Sequence, residues 1–179
     1  HHHESRQWLA FEHPVAVLHA RKPTEVLPLL KEIEARVEAE TLTAVGYVTY
    51  EAASGLDASL PTHPPPDNAL PLISFALFRE AHAVQAPTPA QAQAHQLWRF
   101  SESAEDYQLA IHRIRERIKA GDVYQINHTT RLNGVLNDPW QLFTEVAAGA
   151  PFGAYLQGDS HTIVSASPEC CFSLYGNTL

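Results

Sequence analysis

Methionine is absent from the 179 residues, and cysteine occurs only twice. The two cysteines, Cys170 and Cys171, are neighbours in sequence. Adjacent thiols cannot staple distant parts of a chain, which excludes a disulfide-framed secreted scaffold. A reduced, cytoplasmic setting is the expectation. The opening His1-His2-His3 reads as a purification-tag remnant, and behind it no initiating methionine is in view.

Basic residues are also few. Twelve Lys and Arg against 20 Asp and Glu leave a net charge of −8. Nucleic acid and anionic membrane surfaces are thereby excluded as main partners, because counterion release needs clustered cations. A locally positive pocket for an anionic small molecule stays compatible with this balance. No apolar run is long enough to span a bilayer, and no secretory signal pattern is visible. The usual catalytic signatures are missing too: there is no Gly-rich phosphate loop, no His-Glu-x-x-His helix and no Gly-x-Ser-x-Gly elbow. The histidines show no ligand spacing, so structural or exposed roles are expected of them.

What is present is a foldable chain, 45% hydrophobic and 18% charged. Val15–Leu18 reads as a buried strand. A helix follows with Thr24 as N-cap and an apolar stripe of Val26, Leu29, Leu30, Ile33 and Val37. Thr41–Tyr50 and Leu72–Phe78 read as strands, separated by a Pro-rich loop over 61–68. Residues 83–95, with Pro87 and Pro89, read as a linker-like stretch and place a soft boundary. Gln96–Phe100 reads as a strand. Ser103 then opens a helix that carries Tyr107, Ile111, Ile114 and Ile118 and stops at Gly121. The four bases Arg113, Arg115, Arg117 and Lys119 read as a solvated face with a helix-end preference. Val123–Leu132 reads as a strand, Asp138-Pro139 as a helix start, and Phe152–Gln157 with Thr162–Ser167 as a hairpin. Interspersed helices, strands and hairpins indicate an α+β fold with antiparallel or mixed sheets and flanking helices.

Two segments hold candidate chemistry. Gln125, Asn127, Thr129 and Arg131 alternate along 123–132, which describes either a wet face or the wall of a polar cavity. Period two along 164–174 puts Glu169 with Ser165 and Ser167, opposite Val164, Phe172 and Leu174. On an exposed face Glu169 is a surface carboxylate; lining a cleft, it would be desolvated and able to act as a general acid.

Several segments resemble the chorismate-binding enzymes: Ala120-Gly121-Asp122-Val123-Tyr124-Gln125-Ile126-Asn127, Pro151-Phe152-Gly153-Ala154-Tyr155-Leu156 and Ser165-Ala166-Ser167-Pro168-Glu169. Gly46-Tyr47-Val48-Thr49-Tyr50-Glu51-Ala52-Ala53 is similar to the aminodeoxychorismate (para-aminobenzoate, folate-forming) branch, with the anthranilate branch as its nearest rival. The resemblance implies an incomplete anthranilate-synthase-component-I-like fold, with an N-terminal α+β region over 4–95 and the start of a chorismate-binding domain over 96–179. It implies amination of chorismate at C4 with ammonia from a glutamine amidotransferase subunit. In that chemistry a lysine attacks C2, and the glutamate of Ser-Pro-Glu, here Glu169, protonates the departing hydroxyl. The Lys-Gly-Thr motif of that lysine and the glutamates that bind magnesium have no counterpart in these residues. The chain is therefore expected to be inactive alone and to self-associate as a dimer or by strand exchange. Some members hold a structural tryptophan at a segment matched by Pro151, Phe152 and Gly153. The serine-bearing motif that completes such a pocket is not found near Leu18-His19-Ala20, so packing is the expected role of Phe152. A non-catalytic binding module of the same family is the remaining alternative.

Overall fold

The computed structural model describes residues 7–64, 69–88 and 98–174. Along the chain run β1 (Trp8–Ala10), β2 (Ala16–Ala20), α1 (Pro23–Glu40), β3 (Thr43–Val48), a 3-10 turn (Tyr50–Ala52) and α2 (Ala53–Leu56). Then come β4 (Ile73–Phe78), β5 (His82–Val84), β6 (Arg99–Phe100), α3 (Ala104–Ala120), β7 (Leu132–Asn133), α4 (Pro139–Val146), β8 (Phe152–Gln157) and β9 (Thr162–Ser167). Every described strand pair is antiparallel, in four small sheets ordered β1-β5, β2-β4-β3, β6-β7 and β8-β9. The α+β expectation holds in this coarse form, with antiparallel pairing alone.

The best-formed core lies under α1. Val26 and Ile33 are buried as the apolar stripe requires, against Ala20, Ile73 and Leu77 of the three-stranded sheet. Full burial of a side chain of this size stabilises by about 1.5–3 kcal/mol. Gly46 is required where β3 crosses β4: a Cβ there would collide with the Ser74 carbonyl and the Phe75 ring. The helix begins two residues earlier than Thr24 suggests. Lys22 is the N-cap and Pro23 the first helical residue, the position where proline's missing N–H is harmless. The Glu25 carboxylate accepts from the N–H groups of Arg21 and Lys22, at 3.0 and 3.1 Å.

Other expectations need correction. Val15 and Val17 are exposed, because only one face of β2 meets α1. Residues 83 and 84 are strand, paired with β1 at Ala83↔Leu9 and Val84↔Trp8. Of Val123–Leu132 only Leu132 enters a strand; residues 122–131 are irregular, because no described strand lies alongside to take their backbone hydrogen bonds. The α3 helix is capped as expected, Ser103 Oγ accepting from Asp106 N–H at 3.0 Å and Gly121 closing it at φ 79°. Its apolar stripe, however, contains no buried residue. Residues 65–68, 89–97 and 1–3, covering parts of the Pro-rich loop, the linker-like stretch, Gln96-Leu97 and the tag remnant, lie outside the described residues.

Candidate functional site

The β8-β9 hairpin forms as its sequence indicates, with the Gly158 N–H donating to the His161 carbonyl at 2.9 Å to close the turn. Its register pairs Phe152 with Ser167 and Gly153 with Ala166. The two segments singled out as site candidates therefore meet at the open end of one hairpin. Phe152 and Gly153 stand on one strand with Pro151 just before it, and the approach to Glu169 is on the other.

The strand ends at Ser167, not at Leu174. Beyond it Ser167 Oγ donates to the Glu169 carbonyl at 2.7 Å, a small turn that carries Glu169 out of the sheet. Alternation therefore does not govern Glu169, Cys170, Cys171 or Phe172. Glu169 is exposed, and its face is no longer set by Ser165. The carboxylate is accessible, but the described residues supply no wall that would strip it of water.

Behind Gly153 the site is closed by aromatic packing. Phe143 of α4, 1% exposed, meets Trp8 edge-on at 5.6 Å and Tyr155 at 5.5 Å between ring centroids. Trp140 lies 5.1 Å from Tyr155. A Cβ on Gly153 would fall 2.5 Å from the Ala147 carbonyl oxygen and 2.8 Å from the Trp8 ring. Trp8 thus occupies the space against Gly153, and it joins the N-terminal strand to the hairpin.

A second tie was not legible in the sequence. Tyr47 of β3 reaches His161 in the hairpin turn, hydroxyl to Nε2 at 3.2 Å, across 114 positions. Burial pushes the Tyr47 hydroxyl up from its ordinary pKa, opposed by a hydrogen bond with Ser74 and by the charge of Arg21. On the other side of the ring, His161 Nδ1 lies 3.3 Å from Ser160 Oγ. Beside this pair an open groove of about 560 Å³ has Leu136, Leu142 and Val164 among its apolar lining and Asp159 and His161 among its polar lining. His128 is held separately by Glu102, Nε2 lying 3.2 Å from both carboxylate oxygens, with its ring 5.5 Å from that of Tyr107. Gln125 and Asn127 of the polar row are exposed and bond each other at 3.3 Å, so the wet-face alternative describes them here. Thr130, by contrast, buries a hydroxyl with no partner among the described residues.

Among the described residues no group of three or more His, Cys, Asp or Glu side chains gathers as metal ligands would. No described helix is long and apolar enough to cross a membrane.

A family model described as chorismate binding enzyme matches residues 2–179. Aminodeoxychorismate synthase component 1 of Klebsiella aerogenes is 33% identical over 90 residues, 49% of this chain and 20% of the relative. Its counterpart from Escherichia coli (strain K12) is 33% identical over 75 residues, 40% of this chain and 17% of the relative. Anthranilate synthase alpha subunit 1, chloroplastic, of Oryza sativa subsp. indica is 30% identical over 105 residues, 52% of this chain and 18% of the relative. The aligned stretches thus span a fifth or less of these relatives. No solved structure matches the chain.

Proposed function

The chain belongs to the chorismate-binding enzymes, and on that premise we propose that it is the N-terminal part of an aminodeoxychorismate synthase of the component 1 type. The carrying observation is the hairpin register, which sets Pro151-Phe152-Gly153 beside the Ser-Pro-Glu turn and leaves the Glu169 carboxylate free at the open end. In the parent enzyme Glu169 is the general acid. Hydroxide is a poor leaving group, so its departure from C4 of chorismate needs a proton in the transition state. A carboxyl placed against the departing hydroxyl is the group that can supply it. The excluding wall, the attacking lysine and the residues that hold magnesium would be contributed from outside this chain. Ammonia would come from a glutamine amidotransferase partner. The division of the parent fold falls near residue 95, bridged by the Trp8 and Tyr47 contacts.

By itself the chain is inactive in this reading, since it has only Lys22, Lys31 and Lys119, none followed by Gly-Thr. Amination to anthranilate is the second reading, favoured by the alignment to the rice enzyme being the longer one. The reading frame beyond Leu179 separates these. Continuation into Lys-Gly-Thr supports the aminodeoxychorismate branch, and a different residue at that lysine supports the anthranilate branch. A stop codon after Leu179 overturns both in favour of a non-catalytic module.

A further inference from the structure

Cys170 and Cys171 take no part in the chemistry above, yet they are the chain's two cysteines, both free and both exposed. They lie past the end of β9, in irregular backbone. Inside a strand, consecutive side chains would point to opposite faces; beyond it nothing imposes that divergence. We propose that this pair is a vicinal dithiol site that chelates a soft, trivalent, two-coordinating electrophile of the organoarsenical class.

Geometry favours chelation over a disulfide. A disulfide joins Cα atoms at least about 4.4 Å apart through a bond of about 2.05 Å. Neighbouring Cα atoms across a trans peptide are about 3.8 Å apart, so direct S–S closure is strained. An atom inserted between the sulfurs, with bonds of the order of the 2.3 Å typical of zinc–thiolate, relaxes that closure. Ligand count then selects the occupant. Structural zinc wants four ligands, and no third His, Cys, Asp or Glu joins the pair among the described residues. A trivalent aryl-arsenic centre keeps its carbon and takes two sulfurs. The step is balanced without an oxidant. Both S–H bonds and the arsenic–oxygen double bond of an arsine oxide break, two As–S bonds form, and the two protons leave with the oxygen as water. Arsenic stays trivalent. The only described hold on either thiol is a weak one, Cys170 Sγ donating to the Phe172 carbonyl at 3.2 Å, and displacing it costs little.

The test is titration of the folded, reduced chain with phenylarsine oxide, read by intact mass and by alkylation of the remaining thiols. One adduct per chain is expected, with both thiols protected, released by a small dithiol but not by excess monothiol. Because the second bond closes intramolecularly, Cys170→Ser and Cys171→Ser should each bind about a hundredfold more weakly or worse. Adducts that monothiol strips equally from wild type and variants, or one thiol left open to alkylation, would overturn the proposal. So would an adduct that appears only in urea. Neither readout involves chorismate, so the result is independent of the catalytic reading.

Discussion

Gly153 shows how a single missing side chain places the whole candidate site. With no Cβ, β8 can press against the Ala147 carbonyl while the Trp8 ring closes over it. Alanine at this position must displace backbone on one side and an indole packed on Phe143 on the other. Overpacking of this kind costs about 1–3 kcal/mol, so Gly153→Ala should lower the urea midpoint and the thermal midpoint together. Unchanged midpoints would mean that Trp8 does not pack there in solution. The sequence marked Gly153 through its Pro-Phe-Gly neighbourhood, but nothing marked Trp8 as its cover. That contact joins residues 145 positions apart, and local periodicity carries no information at such a range. The Tyr47–His161 tie was hidden for the same reason. The face that alternation assigned to Glu169 failed, because the strand stops at Ser167.

At the scale of elements, the caps and the hairpin turn are the local signals that were realised. Two helices carry caps written in adjacent residues, Ser103 for α3 and Asp138 for α4, whose carboxylate accepts from the Trp140 N–H at 2.9 Å. The hairpin carried Gly158-Asp159 at its turn. Residues 123–131 failed because a strand is defined by its neighbour, and no local pattern supplies one. The start of α1 offers a test of capping through pH. Hydrogen bonds from the Arg21 and Lys22 N–H groups, in that order, hold the Glu25 carboxyl below its ordinary pKa, with a smaller contribution from the Lys22 charge. A depressed folded-state pKa gives stability that is complete above the unfolded value and fades as pH falls through the folded one. Urea unfolding followed downward from neutral pH should therefore show a shallower acid loss for Glu25→Gln than for wild type. Parallel curves would contradict the cap.

For the molecule as a whole, the leading feature is apolar surface left bare. Phe172 is 71% exposed, Phe100 67% and Val17 56%, and the stripe of α3 is unburied. Surfaces of this extent are characteristic of faces that pack on other protein, and the isolated chain should associate into dimers or larger species. Light scattering that reports monomer alone over a wide concentration range would count against this.

That proposal is tested most directly in the full-length parent, by product analysis of wild type and Glu169→Gln with chorismate, ammonia and magnesium. The wild type should release 4-amino-4-deoxychorismate, or retain it for a later step. The Gln variant should keep its fold and its chorismate affinity while turnover falls by about a hundredfold to ten-thousandfold, the range of general acid catalysis. Near-normal turnover in the variant, or anthranilate as the wild-type product, would contradict it.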